Sequence, residues 1–232
     1  MTTSPRTPRS RRERPAKPAL TRDGIVAAAM EIMQAEGLQA VTTRRLAQAL
    51  DTGPASLYVY VRNTAELHAA ILDELLGTVD LRPSGGDWRD RLEQVLTSYA
   101  LVLFGHPALA HSALVTRPSG RHYIDLIEAL LALLDEGDVP PGQAAWGVDL
   151  LLQFATALAA EQSARDEGID AQDQWDALSR ALHGVSGSAH PHIAARATEL
   201  LSGSPEARLS WSFQMLINGV LHTPIPRKEG QA

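Results

Sequence analysis

Residues 42–63, TTRRLAQALDTGPASLYVYVRN, restrict what this chain can fold into more than any other stretch. Apolar residues at helical spacing predict two short helices, over 43–50 and 54–60. The tripeptide DTG between them supplies a tight turn, since Asp51 tolerates the left-handed conformation and Gly53 accepts any. Pro54 suits the first turn of the helix that follows. Two short helices joined in this way form a helix-turn-helix, whose second helix is suited to the major groove of DNA.

Longer helices are predicted on both sides of this pair. Thr21 caps a helix that ends at Gly37, and Asn63 with Glu66 forms a capping box for a helix that reaches about Val79. Helical periodicity then recurs in six segments, without any run of alternating β-branched residues. These segments are 88–105, 107–116, 119–136, 142–167, 171–183 and 205–222. We therefore predict an all-α chain, with an N-terminal three-helix head that carries the helix-turn-helix and a larger C-terminal helical body.

Charge is unevenly distributed along the 232 residues. Residues 1–20 carry six basic side chains against one acidic, a net charge of +5, in a Pro- and Ser-rich segment that we expect to be disordered without a partner. Residues 21–64 are balanced, so the overall net charge of −6 leaves −11 for the remainder. This pattern predicts that only the N-terminal end meets a polyanion. The alternative is an arm that only aids solubility.

Composition excludes several classes of protein. Because cysteine is absent, disulfides and thiolate metal sites are excluded. No apolar run reaches the ~18 residues that span a bilayer, and the basic N-terminus lacks the apolar segment of a signal peptide. We therefore predict a cytoplasmic protein with no membrane partner, metal or cofactor. GVSGS at 184–188 lacks the second glycine of a hydrolase nucleophile elbow and no glycine-rich phosphate loop occurs, so we do not expect an enzyme.

Side chains suited to DNA cluster in the helix-turn-helix. We expect the exposed face of the 54–60 helix to present Pro54, Ala55, Ser56, Val59 and Tyr60 to the major groove. Arg44 and Arg45 at the start of the preceding helix, and Arg62 after the pair, are placed for phosphates or base edges. Tyr58 and Tyr60 offer phenolic donors to phosphates. The alternative is a helical cap that makes protein contacts, with the tyrosines in its core.

The stretch IVAAAMEIMQAEGLQAVTTRRLAQALDTGPASLYVYVRNTAEL resembles the N-terminal domain of the tetracycline-repressor (TetR) family of bacterial regulators. The likeness rests on the apolar helix ending in EG, on TTRRLAQAL, on SLYVYV and on the helix after Asn63. It implies that Thr43 and Arg44 contact DNA from the second helix. It implies the same for five positions of the third, Pro54, Ala55, Ser56, Tyr58 and Tyr60. Thr64 replaces a phosphate-binding lysine common in the family, which leaves the helix N-terminus as the anion site.

The rest of the chain is similar to the tetracycline-repressor type of C-terminal domain. This likeness rests on Trp88, the TRP at 116–118, Tyr123 and the helix AAWGVDLLLQFATALAAEQ, which ends near Glu161. Such a body is implied to form a homodimer through a four-helix bundle, with two helices from each chain, and to enclose a small-molecule pocket.

Two C-terminal helices, over 142–167 and 205–222, carry more apolar surface than one monomer face needs. We expect the dimer interface to include Trp146, Leu150, Leu151, Leu209, Phe213, Leu216, Ile217 and Val220. The alternative is that these residues form only the core of one monomer.

The pocket that the resemblance implies departs from one that binds magnesium–tetracycline. The metal-ligating histidine of the family is Ala113 here, and Val95 and Ala129 replace an asparagine and a glutamine. Tyr99 replaces a phenylalanine, and Glu161 is retained. An apolar pocket with few polar anchors predicts a hydrophobic or aromatic effector. Besides these five positions, we expect the ligand site to include His111, Thr116, Arg117, His122, Phe154 and Leu158.

Together these patterns predict a ligand-responsive transcriptional regulator. Its expected segments are a basic arm (1–20), a DNA-binding domain (21–66), a ligand-binding and dimerisation domain (67–224) and a tail (225–232). Its expected partners are a double-stranded DNA operator, a small-molecule effector and a second copy of the chain. We predict a repressor that leaves a palindromic operator when the effector binds and the segment 106–118 moves. The alternative is a helical small-molecule-binding protein or enzyme that does not act through specific DNA binding.

Overall fold

The computed structural model describes residues 19–166 and 171–226, and in these ranges it consists of twelve α-helices and one 3-10 turn. No strand occurs among the residues described, so the all-α prediction is confirmed. The chain divides into two compact units between Val61 and Arg62. All of the predicted basic arm except its last two residues lies outside the described part.

The first unit is built from three helices. They are α1 (Arg22–Glu36), α2 (Thr43–Ala49) and α3 (Pro54–Leu57), with a 3-10 turn at Leu38–Ala40. The hydroxyls of Thr21 and Thr42 cap α1 and α2 by accepting from the backbone N–H three residues later, at 3.1 and 3.2 Å. Helix α2 packs on both α1 and α3. The buried apolar residues of the three helices are Ile25, Val26, Ala29, Ile32, Leu46, Ala47 and Leu57.

The turn forms as predicted, whereas the third helix is shorter than predicted. Asp51 takes the positive φ of 47°, and Gly53 is extended at φ −80° and ψ 144°, as a residue before proline prefers. Helix α3 ends at Leu57, so the prediction of a helix to residue 60 was wrong. The β-branched Val59 and Val61 that follow disfavour a further helical turn.

The second unit begins with α4 (Thr64–Leu76), whose cap differs from the predicted box. The Asn63 side chain accepts from the N–H of Glu66 at 2.8 Å, as predicted. The Glu66 carboxylate, however, accepts from the N–H of Arg62 at 2.9 Å, one residue before the expected donor. The domain boundary predicted after residue 66 lies inside this continuous helix.

Helix α8 (Pro141–Asp166) lies at the centre of the second unit. The other helices are α5 (Trp88–Gly105), α6 (Pro107–Ala113), α7 (Arg121–Glu136), α9 (Ala171–His183), α10 (Pro191–Ala194), α11 (Ala197–Leu201) and α12 (Pro205–His222). Helix α8 packs against α5, α6, α7 and α12, while α4 packs on α6 and α7. Helix α9 packs with the short helices α10 and α11, which periodicity did not predict. The core of this unit therefore forms around one long helix.

A carboxylate from α4 caps helix α7. Asp73 is buried and accepts from the backbone N–H groups of Tyr123 at 3.0 Å and His122 at 3.4 Å. Gly120, the residue before α7, has no side chain to cap the helix. Asp73 therefore places a negative charge at the positive end of the α7 dipole. A Cβ atom on Gly120 would lie 2.1 Å from Oδ2 of Asp73, so the close approach of the Asp73 carboxylate to the backbone of residue 120 requires glycine.

Replacing Gly120 by alanine is expected to lower the free energy of unfolding by about 1–3 kcal/mol, because the new methyl group displaces the buried carboxylate from its donors. The matched control is Gly105→Ala at the end of α5, where a Cβ atom meets nothing within 4 Å. We expect the control to stay within about 0.5 kcal/mol of the wild type. Urea unfolding at one fixed protein concentration measures both, and equal stability of the two variants would contradict this account of the cap.

Candidate functional site

The exposed surface of the helix-turn-helix lies on α3 and the turn that follows it. Leu57 is buried and anchors α3 in the core of the first unit. Its exposed neighbours are Pro54, Ala55, Ser56, Tyr58 and Val59, the last with 80% of its surface accessible. Tyr60 is half-buried. The exposed groups are small or uncharged, a set that suits thymine methyl groups and a few hydroxyl contacts rather than guanine.

The two arginines of α2 have different surroundings. Arg44 is exposed and has no ion pair among the described residues. Arg45 donates from Nε and Nη2 to Oε1 of Glu36 on α1, at 3.1 and 2.5 Å. This hydrogen bond raises the pKa of Arg45 and lowers that of Glu36. Thr43, the first residue of α2, is half-buried, so Arg44 is the cation of this helix that is available to a phosphate.

Two predicted DNA contacts belong to the second unit. The Arg62 side chain is 88% exposed, with Nε 3.7 Å from Oε2 of Glu66. Thr64 is exposed as the first residue of α4. Because an exposed ion pair of this kind is weak, Arg62 can exchange Glu66 for an outside anion at little cost.

A small cavity of about 50 Å³, partly open to solvent, lies within the second unit. Its apolar walls are Ala113, Leu114, Pro118 and Leu152, and its polar walls are Tyr99, Arg117, Tyr123, Gln153 and Thr156. These residues come from α5, α6, α7, α8 and the connection between α6 and α7. A concave site with mostly neutral walls and a few polar groups is typical of small-molecule binding.

Neutral hydroxyls form the buried side of this cavity. The Thr156 hydroxyl donates to the carbonyl of Leu152 at 2.8 Å, so its oxygen is left to accept from the Tyr99 hydroxyl, also at 2.8 Å. Burial raises the pKa of the Tyr99 phenol above its ordinary value. Tyr99 is therefore a neutral donor at physiological pH.

Arg117 brings a charge to the open side of the cavity. Its Nη1 is ion-paired with Oδ1 of Asp149 on α8, and the two side chains are 53% and 56% exposed. The hydrogen bond to Asp149 raises the pKa of Arg117. Nearby, burial raises the pKa of the Tyr123 phenol, an effect that Arg117 opposes.

Three of the predicted ligand residues, Tyr99, Ala113 and Arg117, line this cavity. Val95 is fully buried in the core instead. His122 faces Glu74, with Nε2 3.9 Å from Oε2. The remaining predicted residues do not line the cavity: His111 and Glu161 are exposed, and Thr116, Ala129, Phe154 and Leu158 are half-buried. Phe154 makes an edge-to-face contact with Phe213, with ring centroids 5.9 Å apart.

Sequence reasoning missed most of the α8 side of the cavity. Leu152, Gln153 and Thr156 lie at helical spacings of one, three and four residues and so share a face of α8. Helical spacing counted from the two polar positions, Gln153 and Thr156, could have found them. Tyr123 was part of the family likeness but was not assigned to the ligand.

An apolar groove of about 430 Å³ is lined by α8, α12 and the segment 223–226. Trp146 on α8 is 61% exposed, and Trp211 on α12 is 65% exposed. Leu150 and Met215, one turn further along each helix, are also exposed. A Cβ atom on Gly147 would lie 2.7 Å from the Val220 side chain, so this glycine lets α8 and α12 approach closely. So much contiguous exposed apolar surface marks an interaction site.

The predicted dimer interface was wrong at three residues. Leu151, Phe213 and Ile217 are buried in the core of the second unit, so they have almost no surface left to lose on dimerisation. Val220 is buried as a wall of the groove, while Leu209 and Leu216 are half-buried. Trp211 and Met215, which were not among the predicted residues, are exposed four residues apart on the outer face of α12.

In the described part of the chain, no helix is long and apolar enough to cross a membrane. Nor do the described residues include a group of three or more histidine, cysteine or acidic side chains that could hold a metal ion.

Two protein families match the chain, one for each of its parts. Residues 25–71 match the family described as bacterial regulatory proteins, tetR family. Residues 82–223 match the family described as tetracyclin repressor-like, C-terminal domain.

Relatives of known structure or function cover nearly all of the chain. A solved Streptomyces coelicolor structure assigned as a transcription regulator is 56% identical, with a TM-score of 0.79, and the match covers 91% of this chain and 99% of that one. ActR from the same organism, in complex with actinorhodin, is 34% identical, with a TM-score of 0.75 and coverage of 88% and 96%. The transcriptional repressor DrrR1 of Streptomyces coeruleorubidus is 26% identical over 229 residues, 96% of this chain and 84% of that protein.

The hydroxyl pair in the cavity predicts an asymmetry between two substitutions. Thr156→Val leaves the buried Tyr99 hydroxyl without an acceptor and is expected to cost about 1–3 kcal/mol of unfolding free energy. Tyr99→Phe leaves Thr156 bonded to the Leu152 carbonyl and is expected to cost about 1 kcal/mol or less. The double variant should lose less than the sum of the two. Urea unfolding of the four proteins measures these values. A Tyr99→Phe cost equal to or larger than that of Thr156→Val would contradict the assigned direction of the bond, and additive costs would contradict the bond itself.

Proposed function

The chain belongs to the TetR family of ligand-responsive, DNA-binding transcriptional regulators, and from that premise we propose that it is a repressor which an apolar or aromatic small molecule releases from a palindromic operator. Its partners are double-stranded operator DNA, a small-molecule effector and a second copy of the chain. We further propose that it acts in the cytoplasm, where bacterial DNA lies, and that it carries out no catalysis.

The DNA-binding part of the proposal rests on the exposed side chains of α3 and of the turn that follows it. Leu57 fixes this helix in the core, which leaves Ala55, Ser56 and Tyr58 on the surface. Arg44 on the preceding helix supplies a cation for the phosphate backbone. A dimer would present two such surfaces, and two successive major grooves on one side of DNA lie about 34–36 Å apart.

Selection of fragments from a random DNA pool by the purified full chain tests this part. We expect the sequenced survivors to share a palindromic motif, with half-sites separated by about one helical turn or a multiple of it. Survivors that share no motif would contradict sequence-specific binding.

The cavity beside Tyr99 and Arg117 is the proposed effector site. Its mostly neutral walls suit an aromatic or apolar molecule, and because its volume is only about 50 Å³, the cavity has to widen when such a molecule binds. ActR, a relative that is 34% identical, has been solved with actinorhodin and with (S)-DNPA. That relative supports a small-molecule effector for this chain, and the polar and apolar lining of the cavity is the reason for placing the effector there.

The segment 106–118 is the proposed moving element. It contains α6, which packs on both α8 and α4, and it ends in Arg117 and Pro118 at the cavity. His68 on α4 faces Ser112 on α6, with Nδ1 3.2 Å from Oγ. An effector that shifts this segment therefore acts directly on α4, which begins three residues after the first unit ends. The shift in population is limited by the difference in effector affinity between the two states.

Homodimerisation is proposed to occur through α8 and α12. Trp146, Leu150, Trp211 and Met215 form two exposed apolar rows on these helices, and the groove between them is open. Two helices from each chain would together make a four-helix bundle with the apolar rows inside.

Replacing Arg44 by alanine is expected to weaken DNA binding about tenfold, the value of one charge-assisted contact, and to reduce the salt slope by about 0.9. Arg45→Ala should weaken DNA binding less, because Glu36 already occupies its guanidinium. Arg22→Ala on α1 is the control for loss of one exposed positive charge in the same unit. Fluorescence anisotropy of labelled DNA at several salt concentrations measures all three. A larger loss for Arg45→Ala than for Arg44→Ala would contradict the assignment.

Leu150→Glu is expected to convert the dimer to a monomer, because it places a charge in the proposed interface. Leu101→Glu is the control, since Leu101 is also an exposed leucine, on α5 and away from the groove. Sedimentation velocity at micromolar concentration distinguishes the two states. A dimeric Leu150→Glu variant, or a monomeric Leu101→Glu variant, would contradict the proposed interface.

A further inference from the structure

We infer that the effector is an aromatic or apolar acid, whose carboxylate, sulfonate or ionised phenol takes the place of Asp149 on Arg117. The inference rests on the proposed function, because it names the chemical class of ligand for the same cavity. It goes beyond an apolar effector by assigning the ligand a negative charge and a position for that charge.

The charges around the cavity favour an anion. Among the described residues that line it, Arg117 carries the only formal charge. Tyr99 and Tyr123 are neutral phenols, and Gln153 and Thr156 are neutral hydrogen-bonding groups. A cationic ligand would meet one like charge and no opposite charge in these walls. An anionic ligand would meet a guanidinium that suits a planar acid by forming two parallel hydrogen bonds.

The present partner of Arg117 is easily replaced. Asp149 lies on α8, one turn before Gln153, and it is not among the residues that line the cavity. Both members of the pair are more than half exposed, and exposed pairs of this kind contribute little to stability. When a ligand acid takes its place, Asp149 can return to water. The exchange therefore leaves neither charge buried without a partner.

The position of Arg117 gives this exchange a consequence for the protein. Arg117 and the buried Pro118 lie in the connection between α6 and α7, and the ion pair with Asp149 ties this connection to α8. When an acid binds, the ion pair between Arg117 and Asp149 on α8 would break, and Arg117 would form an ion pair with the ligand instead. The inner end of the same ligand would reach the Tyr99 oxygen, which can still accept a hydrogen bond, since the hydroxyl protons of Tyr99 and Thr156 are already donated to Thr156 and Leu152.

Two dyes of nearly the same shape test the inference on the full chain. The anionic probe is 8-anilinonaphthalene-1-sulfonate, and the neutral probe is N-phenyl-1-naphthylamine, which has the same rings without the sulfonate. Fluorescence titration gives the Kd of each dye for the wild type, Arg117→Gln, Arg117→Lys and Asp149→Asn. Arg121→Gln is the matched control, because Arg121 is an exposed arginine paired with Asp125 and does not line the cavity.

We expect Arg117→Gln to weaken binding of the anionic dye at least tenfold and to change binding of the neutral dye less than twofold. Arg117→Lys should keep part of the affinity for the anionic dye, and Asp149→Asn should raise that affinity several-fold. Arg121→Gln should leave both dyes unchanged. Equal losses for both dyes in Arg117→Gln, no gain in Asp149→Asn, or failure of the wild type to bind the anionic dye would each overturn the inference.

A gel-shift assay on the same proteins keeps this test separate from the proposed function. The control Arg121→Gln is expected to bind DNA as the wild type does, because Arg121 is exposed and lies outside both the cavity and the segment 106–118. If the wild type binds no DNA specifically, the proposed function fails, while the dye titrations still decide the charge preference of the cavity. If DNA binding is normal and the dyes do not distinguish the variants, only the inference fails.

Discussion

Helix α8 contacts the core on one face, lines the cavity on another and is exposed on a third, and the packing of the second unit depends on this one helix. Leu151 and Ala155 face the core formed with α5, α6, α7 and α12. Trp146 and Leu150 face outward, and Thr156 faces the cavity. A helix that is apolar on more than one side is not stable in water on its own. The neighbouring helices cover one side, and the side left exposed is suited to a second chain.

Buried polar groups fix how the helices around α8 are placed. Asp73 on α4 accepts a hydrogen bond from the N-terminus of α7, and Tyr99 on α5 is hydrogen-bonded to Thr156 on α8. Among the described residues, every buried side-chain nitrogen or oxygen has a hydrogen-bond partner. Because an unpaired buried group is costly, these bonds define a single arrangement of α4, α5, α7 and α8. These buried hydrogen bonds fix the helices that surround the cavity. The exposed ion pair between Arg117 and Asp149 is weaker than they are.

Local features of the fold could be predicted from the sequence, whereas pairs far apart in the sequence could not. The caps at Thr21 and Asn63 follow from residue type and spacing within one turn. Leu151 and Phe213 were misplaced because periodicity shows that a residue is apolar but not which of two apolar faces it occupies. The partner of Arg117 lies 32 residues away, and only the packing of α8 brings it close.

The most direct test of the central claim is a DNase I footprint of the chain on the intergenic DNA upstream of its own gene, at several salt concentrations. The account predicts two protected half-sites related by two-fold symmetry, which resist excess competitor DNA and weaken steeply as salt rises. Protection that is equal on unrelated fragments and lost with any competitor would contradict it, because the first unit would then recognise polyanions rather than a sequence.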